Sequence, residues 1–214
     1  MIPKILHQVW TGSKPIPKDH QELVKQFRRI NPDWKYMLWT DEAIDDMNFD
    51  CSDLWEGKPP IVKADIARYA IIHALGGVYA DVDFYFVKSM NDLLNTTFFG
   101  TFTETWRFEI YNGLFGSQRH NPLMRYVVNS IRGKKLEGTD YKSLFNYCGT
   151  YHFTDCIVDN DGDTKDYQAT LHPLELFYPT KATTQVMKKF RYKDIQPFIT
   201  DSTYAVHLWW QSWM

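Results

Sequence analysis

The sequence predicts one α/β domain, a Rossmann-like mixed sheet flanked by helices. Three observations carry that expectation. Residues 3–47 read strand, helix, strand, helix, the opening of a parallel sheet. An apolar helix from about Ile61 to Leu75 stops at Gly76-Gly77 and runs directly into a strand-like segment. The 214 residues are 44% hydrophobic and show no linker, repeat or low-complexity stretch, and single α/β domains of roughly 200–250 residues are ordinary.

Pro3–Trp10 is predicted as a short buried strand, and Thr11–Lys18, with Gly12, Pro15 and Pro17, as a loop. Asp19 can cap a helix to Ile30 whose apolar stripe is Leu23, Val24, Phe27 and Ile30. Asn31-Pro32 ends it, because the residue before proline avoids the helical region. Trp34–Trp39 is the second strand, and Thr40 and Asp41 cap a short helix to Met47. After an irregular stretch over 48–60 comes the apolar helix, then one strand over Val78–Val87. Phe98–Phe102 and Tyr111–Phe115 read as a hairpin, Pro122–Ile131 as a helix, Asp159–Asp163 as a solvated acidic turn, and Tyr204–Trp210 as a last strand.

Composition excludes several classes. A hydrophobic chain with net charge −2 is not disordered, and it lacks the basic excess that phosphate-backbone binding requires, so no nucleic-acid partner is expected. No apolar run approaches the roughly 18–20 residues of a membrane span. Cys51, Cys148 and Cys156 form no metal-binding or redox spacing and read as reduced, mostly buried thiols. Met1–Trp10 lacks the order of a signal peptide, so the expected setting is the cytoplasm, or a host cell's cytoplasm for a virus-encoded chain. Asn95-Thr96-Thr97 matches a glycosylation pattern but carries little weight without such a signal. The chain reads as a bare catalytic module, a single unit or a piece of something longer. Its 8 Trp, 13 Tyr and 14 Phe are more than a core of this size requires, and part of that excess suits a flat ligand.

The chemistry concentrates between Lys63 and Asp83. Alternation along a strand puts Val78, Ala80, Val82, Phe84 and Phe86 on one face and Tyr79, Asp81, Asp83 and Tyr85 on the other. Two carboxylates at i and i+2 near a strand end can converge on a hard divalent cation, which supplies the counter-charge they need. Asp65 and Arg68, three apart on the preceding helix, share a face. They can pair with each other or reach toward a polyhydroxylated ligand. Taken singly, Asp-x-Asp is common, an Asp/Arg helical pair is ordinary, and Trp10 and His207 are more often packed in a core. The spacing of the acidic pair with Gly-Gly and with Asp65 and Arg68 is what singles the segment out. Asp159–Asp163 begins like a calcium loop, but Thr170 stands where the closing Glu belongs.

In this segment, in Ile2–Trp10, in Asn31-Pro32 leading to Trp39, in Phe177-Tyr178-Pro179 and in His207 to Trp213, the chain resembles the DXD-containing, GT-A-type glycosyltransferases. That group includes the yeast outer-chain-initiating mannosyltransferase, capsular polysaccharide transferases and, more distantly, the clostridial glucosylating toxins. The compact format is similar to transferases of chlorella viruses. The resemblance implies a GT-A domain over 1–214, with a nucleotide-sugar half over 1–90 and an acceptor-side half over 91–214. It implies that Asp83 binds the metal directly, with His207 as a further ligand and Asp81 contacting ribose, donor sugar or metal. Asp65 and Arg68 would hold donor-sugar hydroxyls. His7, Gln8, Val9 and Trp10 would seat the nucleobase, and Tyr79 would lie beside the ribose. Ser212 and Trp213 would contact the diphosphate, and Asn112 would sit near the reacting centre with Asp81 and Asp83.

The expected reaction is transfer of a sugar from a UDP-sugar, or from GDP-mannose, to a glycan or other hydroxyl, with Mn²⁺ or Mg²⁺ as cofactor. Trp106, Trp209 and Trp210 could line an acceptor groove. Inversion would need a carboxylate base, for which Glu104, Glu109 and Asp155 are candidates, whereas retention needs none. A phosphohydrolase with a nucleophilic Asp would place the motif on the first strand, which it does not occupy. A non-catalytic nucleotide-sugar or glycan-binding module would not need both Asp81 and Asp83.

Overall fold

In the computed structural model, which describes residues 1–104, 108–160, 169–180 and 192–210, β1 (Ile5–Val9) leads through α1 (His20–Ile30) to β2 (Lys35–Trp39) and α2 (Asp41–Asp46). The predicted opening alternation is present with these bounds. Thr40 caps α2 by accepting from the Ala43 amide, while Asp19 occupies the α1 cap position without a side-chain cap bond. α3 (Pro60–Leu75) begins one residue earlier than expected, with Pro60 in the first helical turn, where a missing N–H costs nothing. It is buried almost all round, from Val62 through Ile72, as a helix at the centre of a fold must be. Gly76 ends it at φ +63° but with extended ψ, which is not the left-handed stop expected. A Cβ there would lie 2.6 Å from the Arg119 amide nitrogen.

Among the described residues the remaining elements are β3 (Gly77–Ala80), β4 (Phe84–Phe86), β5 (Phe98–Thr103), β6 (Glu109–Ser117), α4 (Pro122–Asn129), α5 (Tyr141–Tyr147), α6 (Thr150–Asn160), β7 (Ala169–Pro173), α7 (Tyr192–Ile195) and β8 (Ala205–His207). Six strands form one mixed sheet in the order β2-β1-β3-β6-β5-β7, with β1 parallel to both β2 and β3, and β6 antiparallel to β3 and β5. β4 and β8 pair antiparallel as a separate ribbon, Phe84 opposite His207. One core layer joins α3, α4 and α6 to the sheet through Ile66, Tyr69, Phe115 and Phe153. The other packs Phe27 of α1 against Phe84, Phe86, Leu94 and Phe177. Among the described residues no helix is long and apolar enough to cross a membrane.

Three further expectations are corrected. Val78–Val87 is not one strand: it breaks after Ala80 and resumes at Phe84 in the other sheet. The last strand is three residues long, because the chain leaves the ribbon after His207. Asp159 and Asn160 belong to α6 rather than to a turn, and residues 161–163 lie outside the described residues.

Candidate active site

The break in the strand is the site. Asp81, Val82 and Asp83 form a turn pinned from β1, from β6 and from the chain just beyond β8. The Asp81 amide donates to Gly113 O of β6 at 2.8 Å, and the Leu208 amide beyond β8 donates to Asp83 O at 2.9 Å. From β1, Gln8 Nε2 donates to Asp81 O at 3.0 Å. Both carboxylates are thereby aimed at one point by main-chain bonds, not by strand alternation. His207 completes the group, with Nε2 3.0 Å from Asp83 Oδ1 and 3.9 Å from Asp81 Oδ2. The Trp210 amide donates to Asp83 Oδ2 at 2.8 Å. That donor is turned into place by Trp209, a non-glycine residue at φ +54°, a strained conformation of the kind that gathers at functional sites.

The three ligand-capable atoms of Asp81, Asp83 and His207 lie within 4.8 Å of one another. Two carboxylates and an imidazole form an oxygen-rich donor set suited to Mg²⁺ or Mn²⁺. The electrostatics fit a cation. Burial pushes the Asp81 carboxyl up, reinforced by the Asp83 charge and opposed by Arg68 and His207. Burial would also raise Asp83, but the His207 charge and hydrogen bond, with the Trp210 amide, hold it below the ordinary range. Burial would lower His207, yet the two carboxylates lift it. This cluster stays ionic only with positive charge among its members.

A second network lies beside the first, on the α3 side. The Arg68 guanidinium is 2.8 Å from Asp65 Oδ1 and 3.2 Å from Asp81 Oδ1, and donates to Asn112 O at 2.9 Å. It stacks 4.5 Å from the centre of the Tyr79 ring, whose hydroxyl donates to Asp81 Oδ1 at 2.6 Å. Asn112 is fixed in one amide orientation. Its Nδ2 donates to Asp65 Oδ1 at 3.1 Å and to Tyr69 Oη at 2.9 Å, and its Oδ1 accepts from Thr150 at 3.0 Å. Burial raises the Asp65 carboxyl to about 6, against the lowering effect of Arg68.

These groups floor a cleft of about 840 Å³ whose walls come from the β1–α1 loop, the start of α3, β6 and the α5–α6 region. β3 lies between β1 and β6 in the sheet, so the cleft straddles the carboxyl end of a parallel pair, where ligands bind in open α/β sheets. The loop wall is braced: Thr11 Oγ1 donates to Pro60 O at 2.8 Å, and Trp10 Nε1 donates to Lys14 O at 2.7 Å.

The structure therefore brings Asp65, Arg68, Tyr79, Asp81, Asp83, Asn112 and His207 into one cleft, together with Val9 and Trp10. It takes the side chains of His7 and Gln8 out of it. His7 is wholly buried, with Nε2–H donating to Gly76 O at 2.9 Å and Nδ1 accepting from Trp39 at 3.0 Å. Burial lowers it to about 4, so it is a neutral brace under the strands. Gln8 holds the Asp81 carbonyl, with its Oε1 accepting from Tyr36 at 2.9 Å and lying 2.8 Å from His20 Nε2. Ser212, Trp213 and Trp106 lie outside the described residues. Of the candidate bases, Glu109 lines the cleft, and Glu104 and Asp155 do not. Trp209 lines it and Trp210 does not.

Sequence reasoning missed Gly113, Thr150 and the Trp210 amide. Gly113 had a legible signal in Asn112-Gly113, a small residue beside a candidate site residue: a Cβ there would lie 2.8 Å from Asp81 Oδ2. An amide donor leaves no mark in the sequence.

A mixed sheet carrying a paired-aspartate turn at the end of a central strand defines the GT-A class of glycosyltransferase. Residues 17–99 match a family described as a glycosyltransferase sugar-binding region containing a DXD motif. An uncharacterized glycosyltransferase of Acanthamoeba polyphaga mimivirus is 31% identical over 192 residues, covering 83% of this chain and 75% of that protein. The chain belongs to this family of DXD-containing glycosyltransferases. Inositol phosphoceramide mannosyltransferase 1 of Schizosaccharomyces pombe is 34% identical over 139 residues, 61% of this chain but 43% of that protein. In solved structures, the UDP-bound glycosyltransferase domain of the YGT toxin shares the fold at TM-score 0.53 and 10% identity, over 80% of this chain and 79% of that one. A glycosyltransferase involved in glycosylating the major capsid of PBCV-1 shares it at TM-score 0.50 and 12% identity, over 99% and 95%.

Proposed function

We propose that this glycosyltransferase is metal-dependent and moves a sugar from a nucleotide-diphosphate sugar, a UDP-sugar first among them, to a hydroxyl of a glycan or other acceptor. The observation that carries the proposal is the convergence of Asp81, Asp83 and His207 beside the Arg68–Asp65–Asn112 network in one cleft. Asp83, His207 and Asp81 would hold Mn²⁺ or Mg²⁺, and the cation when bound would offset charge on the departing diphosphate. Asp65 and Arg68 would hold hydroxyls of the donor sugar, and their mutual pairing keeps both side chains in place before the sugar arrives. Asn112, locked by Thr150 and Tyr69, would lie near the reacting carbon. Val9 and Trp10 would seat the base and Tyr79 the ribose. The UDP held by a toxin domain of the same fold favours uridine. GDP-mannose is the second reading, because a relative of similar sequence is a mannosyltransferase. Three buried cysteines outside any disulfide suit a reducing, cytoplasmic setting.

The test is a thermal-shift screen of UDP-, GDP- and TDP-sugars, each with and without Mn²⁺. A ligand at 100 times its Kd adds about 2.7 kcal/mol of stability. A metal-dependent shift with one nucleotide class supports the reading, and none with any class would overturn it. Asp83→Asn should cut turnover by about a hundredfold or more while leaving a folded protein. A variant with full transfer would sink the metal assignment, and a wild type that binds without turnover would be a binding module.

A further inference from the structure

The cleft extends beyond the Asp81–Asp83–His207 floor on two sides. Its β1 side is formed by the loop after Trp10 and by Pro59 and Pro60, and its catalytic floor lies at the end of β3. On the β6 side it continues past Asn112 to a surface that sequence reasoning did not anticipate, built from α5, the start of α6 and β6. Thr150 joins this surface to the floor through its bond to Asn112 Oδ1 at 3.0 Å.

Two aromatic side chains of α5 face this part of the cleft. Tyr141 is 49% exposed, and Phe145 is half-buried beside it, their rings 5.9 Å apart and nearly perpendicular at 83°. Tyr151 backs Phe145 from the other side at 5.4 Å and 86°. Residues of the same helix that serve the core, Leu144 and Tyr147, are buried, so Tyr141 and Phe145 are set apart from the packing face. Gly149 lets the chain pass close behind the helix end: a Cβ there would lie 3.0 Å from the Phe145 Cα. Glu109 and Tyr111 of β6 line the same cleft. Aromatic faces beside a carboxylate and two hydroxyls match a ring that is apolar on one face and hydroxylated at its edge. That is a pyranose, and aromatic walls with a few placed polar groups are the usual make-up of a small-ligand site.

We infer that Tyr141 and Phe145 form an aromatic corner, Phe145 edge-on beside Tyr141, against which a sugar ring of the acceptor stacks, its hydroxyls turned toward Glu109, Tyr111 and Thr150. The inference rests on the reading of the cleft as a nucleotide-sugar site, and it makes the acceptor a carbohydrate rather than a simple alcohol. The experiment is saturation-transfer NMR on the full chain with UDP and Mg²⁺ present, a diamagnetic cation that leaves the ligand resonances sharp. The probes are the methyl glycosides of mannose, galactose and glucose. At least one should show transfer concentrated on the ring protons of a single face. Tyr141→Ala should weaken that glycoside by about 3- to 10-fold, Phe145→Ala by a similar factor, and Tyr141→Phe hardly at all. UDP affinity, read by calorimetry in the same samples, should stay within about twofold in the Tyr141 variants.

Absence of transfer from all three glycosides would overturn the aromatic corner, as would a Tyr141→Ala variant that binds like the wild type. A loss of UDP affinity matching the loss of glycoside would also overturn it, by assigning the wall to the donor. If the glycoside stacks but no nucleotide binds, the aromatic corner stands and the donor reading fails, so the two are separable.

Discussion

Arg68→Met is the sharpest probe of how the site holds together. Methionine approximates the aliphatic length of arginine, so the substitution removes charge and hydrogen bonds more than volume. The side chain is 8% exposed and Asp65, its nearest partner, 9%. Removal leaves Asp65 without its counter-charge at 2.8 Å, Asp81 without one at 3.2 Å, and the Asn112 carbonyl without a donor at 2.9 Å. Removing one partner of a buried pair costs about 3–5 kcal/mol. The Asp65 carboxyl sets the pH dependence. Its folded value of about 6 exceeds the ordinary 3.8, so its contribution to stability is complete below 3.8 and is lost as pH rises through about 6. At pH 8 the variant carries a fully ionised, unpaired Asp65, or pays to protonate it. At pH 5 Asp65 is mostly protonated in the wild type already, and the substitution costs less there. The assay is urea unfolding without metal at both pH values. With a denaturant slope of about 2–3 kcal/mol/M for a chain of this size, the midpoint should fall by roughly 1–2 M at pH 8 and by less at pH 5. Adding Asp65→Asn should restore about 1–3 kcal/mol at pH 8, since coupling in such pairs has that size. A midpoint within about 0.3 M of wild type at pH 8, or no recovery in the double variant, would refute the reasoning.

Tyr79→Phe removes the 2.6 Å hydroxyl bond to Asp81 Oδ1 and should cost about 1.5–3 kcal/mol in the same unfolding assay, the usual worth of a bond to a charged group; an unchanged midpoint would show that the hydroxyl is idle. Gly113→Ala places a methyl 2.8 Å from Asp81 Oδ2 and 2.9 Å from Tyr178 Oη. It should weaken Mn²⁺ binding, measured by calorimetry, by about tenfold or more, roughly 1.4 kcal/mol, and wild-type affinity would mean that Asp81 is not held where the structure puts it. His152 is held near 4 by burial, with Lys134 adding to the effect. A histidine depressed in the folded state costs stability as pH falls from its ordinary 6.5, by up to about 1.4 kcal/mol per pH unit. His152→Gln should therefore show a flatter loss of stability than wild type between pH 6.5 and 4.5, and parallel curves would contradict the buried neutral state.

What the sequence revealed and what it withheld divide along physical lines. The α1 stripe of Leu23 and Phe27, the Thr40 cap and the Gly76-Gly77 stop are local signals, and each led to the right element. α5, α6 and β7 carry weak local patterns and owe their structure to tertiary packing, with Phe153 inserted beside Tyr69 at 5.3 Å. The acidic pair was legible as a pair, but its geometry was not. Alternation along a strand placed Asp81 and Asp83 on one face, and the structure brings them together by ending the strand instead. Gln8 was legible as a residue near the site, but its work is done below the surface, on the Asp81 carbonyl. Long-range bonds of this kind join β1, β6 and β8 to the turn, and no window of sequence contains them.

The link from Asp83 to His207 and to the Trp210 amide spans more than half the length of the chain. During synthesis Asp83 emerges 124 residues before the histidine that pairs with it. Until residues 205–210 have docked, the carboxylates lack both the imidazole and the amide that hold Asp83 ionised. The charged cluster is thus a product of long-range closure of the β4–β8 ribbon, and no short segment of the chain carries it alone.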